Sequence, residues 1–131
     1  MDDCVFCKIV RGEIPCHKVY EDENFLAFLD IKPFAMGHTL IIPKKHYRWV
    51  YDVPNFGEYW QLAQKISLNI KKSSLNPGYI SFLTMGNEVL HAHIHLIPRS
   101  TEDDITPILQ SLPHLSFSNE KFIDTLNKIK L

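Results

Sequence analysis

The chain has 131 residues, which is enough for one domain with a sizeable core and too few for two. Hydrophobic residues make up 45% of the sequence and charged residues 22%, and the formal net charge is −1. This balance argues against a nucleic-acid partner, and the sequence lacks the apolar run of about 18 residues that a membrane-spanning helix needs. Three cysteines and an acidic start without a long apolar leader predict a cytoplasmic protein.

The first 43 residues predict a short helix followed by three strands. Residues 2–12, DDCVFCKIVRG, are typical of a helix that Asp3 caps and Gly12 ends. Two strands are predicted at 17–20 and 25–30, with the charged turn EDEN between them. After the loop IKPFAMGH, the apolar segment TLIIP at 39–43 predicts a short central strand.

The rest of the chain predicts one long helix, two strands and a helical tail. Asn55 followed by Glu58 resembles a helix cap, and NPG at 76–78 ends the helix. Strands are predicted at 79–85 and 89–98, joined by the turn GNE, and a short helix begins near Asn119. This order predicts an α+β fold in one domain, 1–131. An antiparallel sheet of about five strands carries one main helix, with short helices at both ends.

Three histidines alternate with apolar residues in the segment VLHAHIHLIP, residues 89–98. In a strand the apolar partners Ala92, Ile94 and Leu96 face the core, so the three imidazoles share the other face. Imidazole titrates near neutral pH, binds metals and acts as a nucleophile. The pattern therefore predicts either a metal site or a catalytic site, rather than an ordinary polar strand face.

Cys4 and Cys7 form a Cys-x-x-Cys pair on one face of the first helix. Such a pair is a common half-site for structural zinc, which takes four Cys or His ligands. His46 and His91 are candidates for the other two ligands. The alternative is two reduced cysteines in an amphipathic helix, and the pair alone does not decide between them.

The segment HAHIHLIP resembles the signature of the histidine triad family. CVFCKIVRGEIP and VYEDENFLAFLDIKPFAMGHTLIIPKKHY resemble, in order, the N-terminal segment and nucleoside-binding strands of that family. The resemblance covers about residues 4–98, leaves 99–131 as a C-terminal extension, and is strongest to Hint-type hydrolases in their zinc-bearing microbial form. It implies the histidine triad fold, a homodimer, and a purine nucleotide ligand similar to AMP.

The resemblance also implies a reaction. His93 would attack the α-phosphorus of a nucleoside phosphoramidate or a related conjugate and form a nucleotidyl-histidine, which water then hydrolyses. His95 would contact the phosphate or the leaving group. Two alternatives are cleavage of dinucleoside polyphosphates by the same nucleophile and a non-catalytic, zinc-stabilised nucleotide-binding module.

The family's ligand positions map onto this chain residue by residue. Structural zinc would be held by Cys4, Cys7, His46 and His91. Asp30 matches the acid that binds the ribose, although an Asp that caps a turn after a strand is the alternative. The remaining nucleotide-binding positions implied are Leu29, Ile31, Phe6, Asn87 and Val89. His38 is assigned no role.

The hairpin before the triad departs from the family pattern. Asn87 replaces the usual Gln, Glu88 replaces Ser or Thr, and Thr84 stands where Asn is common. A carboxylate beside a phosphate is repulsive by about 1–4 kcal/mol at 4 Å. Glu88 therefore either turns away or receives a cationic leaving group such as a lysine amine.

Overall fold

A computed structural model describes residues 3–102, 108 and 110–131. The described elements follow the predicted order. Three helices, α1 to α3, span Val5–Val10, Phe56–Lys72 and Asn119–Ile129, and a 3-10 turn spans Val50–Asp52. Five strands, β1 to β5, span Lys18–Glu21, Phe25–Leu29, Thr39–Pro43, Tyr79–Leu83 and Ile94–Arg99.

The five strands form one antiparallel sheet in the order β1-β2-β3-β5-β4. The predicted central position of TLIIP is confirmed, since β3 lies in the middle and all five of its residues are buried. Pairs such as Leu40 opposite His95 fix the register between β3 and β5. The predicted α+β class is confirmed.

The two faces of the sheet bury different helices, because alternate strand residues point to opposite sides. On one face α2 covers a core that includes Ala92, Ile94 and Leu96, as the alternation predicts. On the other face α1 packs through Phe6 against Leu40 and neighbouring side chains. The side chain of His95 shares this second face, because His95 pairs with Leu40.

The helix ends are built differently from the prediction. Cys4, not Asp3, caps α1, and its Sγ accepts a hydrogen bond from the Cys7 N–H. The Asn55 side chain reaches the Glu58 carboxylate at 3.4 Å instead of capping the backbone of α2. A buried hydroxyl anchors this helix, since Tyr59 donates to the carbonyl of Ile41 at 2.7 Å.

The prediction of one strand over 89–98 is wrong, because β5 begins only at Ile94. Residues 84–93 form an irregular connection, and β4 ends at 83 rather than 85. Non-ladder hydrogen bonds hold this connection: Ala92 N–H donates to the Tyr47 carbonyl at 2.6 Å, and the Thr84 hydroxyl donates to the His93 carbonyl at 2.7 Å. His91 and His93 therefore precede the strand, and only His95 lies within it.

The predicted C-terminal helix is confirmed as α3, whose first residue is Asn119 and whose cap is Ser118. Residues 103–107 and 109 of the predicted extension lie outside the described residues. Within the part of the chain that the structure describes, no helix combines the length and apolar character needed to cross a bilayer.

Candidate active site and metal centre

Four side chains from three separate segments of the chain converge beside α1. The first turn of α1 places Cys4 and Cys7 together. His46 comes from the segment that follows β3, and His91 comes from the 84–93 connection. The Cys7 Sγ lies 3.3 Å from His46 Nδ1 and 3.5 Å from His91 Nδ1. The Cys4 Sγ lies 3.4 Å from His91 Nδ1, and all four donor atoms lie within 4.8 Å of one another.

The tautomer of His91 directs a lone pair toward the two cysteine sulfurs. His91 is fully buried and its Nε2 lies 2.8 Å from the Pro43 carbonyl. A carbonyl only accepts, so Nε2 carries the hydrogen and Nδ1 presents its lone pair to the two sulfurs. Burial lowers the pKa of His91 to about 4, while burial and the neighbouring Cys4 raise the pKa of Cys7 to about 11. Two sulfurs and two imidazole nitrogens form a donor set that fits a tetrahedral metal ion.

His93 also forms a hydrogen bond to a backbone carbonyl, but through Nδ1 instead of Nε2. Its Nδ1 lies 2.7 Å from the His91 carbonyl, so Nδ1 carries a hydrogen, and in the neutral ring the lone pair is on Nε2. The ring is 7% exposed and packs against the Phe6 ring at 5.3 Å, edge to face. These contacts hold the His93 ring in one orientation.

His38, which sequence reasoning left without a role, lies inside the site. It is 1% exposed, and its Nε2 is 2.9 Å from His95 Nδ1. Burial lowers the pKa of both rings, that of His95 to about 4, so both are neutral at pH 7. The missed signal was the register, because pairing Leu40 with His95 puts residue 38 on the same side of the sheet.

The surface around His38, His93 and His95 is the candidate pocket, and the predicted nucleotide-binding residues differ in whether they contact it. Asp30 keeps the turn role that was its alternative, since its Oδ1 accepts the Lys32 N–H at 2.8 Å. Its other oxygen, Oδ2, lies 3.6 Å from His38 Nε2. Leu29 and Ile31 expose 37% and 82% of their surface, as open rim positions.

The other predicted positions differ in exposure. Phe6 is buried between Phe28 and the imidazole of His93, with ring centroids 5.7 and 5.3 Å away. Val89 is half-buried against the α1-side core, whereas Asn87 is exposed on the 84–93 connection. The structure thus packs Phe6 against His93 and Val89 against the α1-side core, and ligand contacts by these residues and by Asn87 stay predictions.

Comparison with known proteins places this geometry in a family. The family model of the HIT domain matches residues 11–102, more than half of the chain. The chain belongs to the HIT family. Its histidine pattern and its sheet are therefore those of a HIT domain, and the predicted family is confirmed.

Two relatives and one solved structure show which HIT proteins this chain is similar to. It is 40% identical over 109 residues to adenylylsulfatase HINT3 of Arabidopsis thaliana, covering 78% of this chain and 55% of that protein. It is 39% identical over 101 residues to adenosine 5'-monophosphoramidase HNT1 of Saccharomyces cerevisiae, covering 76% of this chain and 64% of that protein. A zinc-bound histidine triad family protein of Mycobacterium smegmatis matches with a TM-score of 0.72 at 37% identity, over 79% of each chain.

Proposed function

We propose that this HIT protein hydrolyses or transfers the nucleotidyl group of nucleoside phosphoramidates or related conjugates through a covalent intermediate on His93. The observation that carries the proposal is the hydrogen bond from His93 Nδ1 to the His91 carbonyl, which makes Nε2 the nitrogen that carries the lone pair of the neutral ring. Relatives named as a monophosphoramidase and an adenylylsulfatase support the substrate class.

The two steps of the proposed reaction balance over one water molecule. First, His93 Nε2 forms a bond to the α-phosphorus as the bond from phosphorus to the leaving group breaks. Water then attacks phosphorus and the bond to His93 breaks. In the first step the leaving amine takes a proton through Nε2 of His95 as it departs. In the second step the hydroxyl of the water stays on phosphorus, and the remaining proton of the water restores Nε2 of His95. His95, whose ring centroid is 5.0 Å from that of His93, donates a hydrogen bond to the phosphate or the leaving group.

We assign structural zinc to Cys4, Cys7, His46 and His91. The bound ion would stabilise the thiolate form of the cysteines and join α1 to the 84–93 connection. Fixing His91 in this way would also fix the orientation of His93, because the backbone carbonyl of His91 accepts a hydrogen bond from His93 Nδ1. The zinc-bound relative from Mycobacterium smegmatis supports the choice of metal.

We assign the ligand as a purine nucleotide similar to AMP. Asp30 Oδ2 would accept from the ribose hydroxyls, while Oδ1 remains in its turn. Leu29, Ile31 and Phe6 would contact the base, and Asn87 and Val89 the region of the phosphate. Thr84 is engaged elsewhere, because its hydroxyl donates to the carbonyl of His93.

We also propose a homodimer in the cytoplasm. Strand β4 is at the edge of the sheet, and its Phe82, 43% exposed, stacks on Trp60 of α2 at 6.1 Å. We assign the dimer interface to Trp60 and β4, because Tyr59 and Ala63 on the same helix are fully buried within the chain. Sedimentation should show a dimer that Phe82→Glu converts to monomer. The three free cysteines fit a reducing compartment.

The test of the proposed reaction is capture of the intermediate. Mixing the protein with an adenosine phosphoramidate and quenching at alkaline pH should leave a nucleotidyl group on the peptide that contains His93. The variant His93→Ala should show neither the adduct nor turnover, and His17→Ala, at an exposed histidine, should show both. Turnover by His93→Ala at the wild-type rate would refute the proposal.

A further inference from the structure

Both ring nitrogens and one ring face of His38 contact neighbouring groups in the loop from Asp30 to β3 and in β5. A turn brings His38 into place, with its N–H donating to the Ala35 carbonyl at 3.1 Å and Gly37 at a φ of 88°. The Phe34 N–H donates to His38 Nδ1 at 3.1 Å. The Phe34 ring stacks on the imidazole at 5.7 Å and 20°, although 75% of that side chain is exposed.

The hydrogen bond between His38 and His95 has two possible directions. In the first arrangement His38 Nε2 carries the hydrogen, His95 Nδ1 accepts it, and His95 Nε2 carries its own hydrogen toward the reacting group. In the second arrangement His95 Nδ1 donates to His38 Nε2, and His95 Nε2 is a bare acceptor. Only the first arrangement makes His95 a hydrogen-bond donor to the substrate while both rings are neutral.

The contact with Phe34 selects between these arrangements. The second arrangement needs a hydrogen on His38 Nδ1, which would then face the Phe34 N–H at 3.1 Å, donor against donor. A backbone amide cannot reverse its role, whereas a water molecule in the same place could donate or accept. Because the Phe34 ring covers one face of His38, it helps to keep water from that position.

Asp30 favours the same arrangement, since its Oδ2 lies 3.6 Å from His38 Nε2. That oxygen is also the one assigned to the ribose, so its electrostatic attraction for the His38 N–H would change when a nucleotide binds. The Phe34 amide is assigned no contact with the nucleotide in the proposed reaction, so its hydrogen bond to His38 does not compete with the ligand.

We propose that Phe34 is a positioning residue whose backbone N–H fixes the tautomer of His38, and through it the tautomer of His95, so that Nε2 of His95 is a hydrogen-bond donor. The inference deepens the proposed function and rests on it for the identity of the reacting group. The assignment of the tautomers themselves stands on the geometry of the loop alone.

The test replaces the amide N–H of Phe34 by an ester oxygen, which keeps the side chain and removes the donor. The matched control is Phe34→Ala, which keeps the donor and removes the ring. Histidine labelled with ¹⁵N reports on each ring nitrogen by NMR. Since a neutral hydrogen bond contributes about 0.5–1.5 kcal/mol, the ester should change the tautomer ratio of His38 by about 2- to 10-fold.

We expect the same ester variant to lower kcat by up to about 10-fold with little change in KM. Phe34→Ala should keep the wild-type tautomers and lose less kcat. Unchanged ¹⁵N spectra in the ester variant would overturn the proposal, as would altered spectra with unchanged kcat. If the wild-type protein turned over no phosphoramidate, the proposed function would fail, yet the NMR comparison would still decide whether Phe34 fixes the tautomers.

Discussion

His91 and His93 are two residues apart and present opposite nitrogens. His91 donates Nε2–H to the Pro43 carbonyl and offers Nδ1 to the two cysteines. His93 donates Nδ1–H to the His91 carbonyl and offers Nε2 to the pocket. Identical side chains thus present different nitrogens according to which ring nitrogen meets a backbone carbonyl, and this difference underlies the separate roles proposed for them.

The two regions are also connected, because both include His91. The His91 backbone carbonyl orients His93, while the His91 ring belongs to the cysteine cluster. A change in the metal centre should therefore reach the pocket, whereas a change at the nucleophile should leave the metal centre intact. This asymmetry can be tested by substitution.

The largest expected effect separates His93→Ala from His91→Ala. His93→Ala should lower turnover on the order of 10⁴-fold or more, because loss of a covalent nucleophile removes the whole pathway. It should keep one zinc per chain by elemental analysis and a Tm close to wild type. His91→Ala should lose zinc and lower Tm by several degrees, and turnover should fall with it.

Cys16→Ala supplies the control, since Cys16 lies outside the metal cluster and should affect neither zinc content nor turnover. If His93→Ala lost its zinc, or if His91→Ala kept it, the separate roles of the two histidines would be wrong. Chelation of wild-type protein followed by addition of zinc should reproduce and then reverse the His91→Ala effect on Tm.

Much of this arrangement follows from sequence periodicity. TLIIP marked the central strand, Ala92, Ile94 and Leu96 marked the core side of the triad segment, and the Cys-x-x-Cys pair marked half of a cluster that the structure completes. Short-range alternation is enough for these, because it depends only on which face each residue presents.

Long-range contacts explain what the sequence did not predict. The role of His38 depends on pairing β3 with β5 in one register, and no local pattern encodes that register. The irregular backbone before Ile94 arises from hydrogen bonds to Tyr47 and Thr84, which compete with the sheet ladder. An alternating sequence therefore predicted a strand that tertiary hydrogen bonds shorten.

A second, smaller effect should be confined to the pocket. Asp30→Asn keeps Oδ1 as the acceptor of the turn but removes the charge assigned to the ribose. A charge-assisted hydrogen bond contributes about 1.5–3 kcal/mol, so KM for a ribonucleotide substrate should rise about 10- to 100-fold. A substrate without the 2'- and 3'-hydroxyls should show no such difference between the proteins. Equal effects on both substrates would argue against ribose contact.

The smallest effect concerns acid stability and follows from the burial of His95. Burial lowers its pKa from 6.5 to about 4 in the folded protein, so the unfolded chain binds more protons between these values. The stabilising contribution is complete above about pH 6.5 and is lost as the pH falls toward 4. The Tm of His95→Gln should therefore fall less than the Tm of wild type between pH 6.5 and 4, and the two decreases should differ by about 2–4 °C. This difference is small because the ring is partly exposed to solvent, which reduces the cost of charging it.

The comparison is best made on chelated protein, because acid also displaces metal from His46 and His91 and would obscure a small difference. His17→Gln, at an exposed site, should follow the wild-type curve. Chelation thus removes any response of the cysteine cluster through metal loss and leaves the cost of charging the buried ring of His95. Parallel melting curves for wild type and His95→Gln from pH 6.5 to 4 would show that burial of His95 carries no cost on acidification.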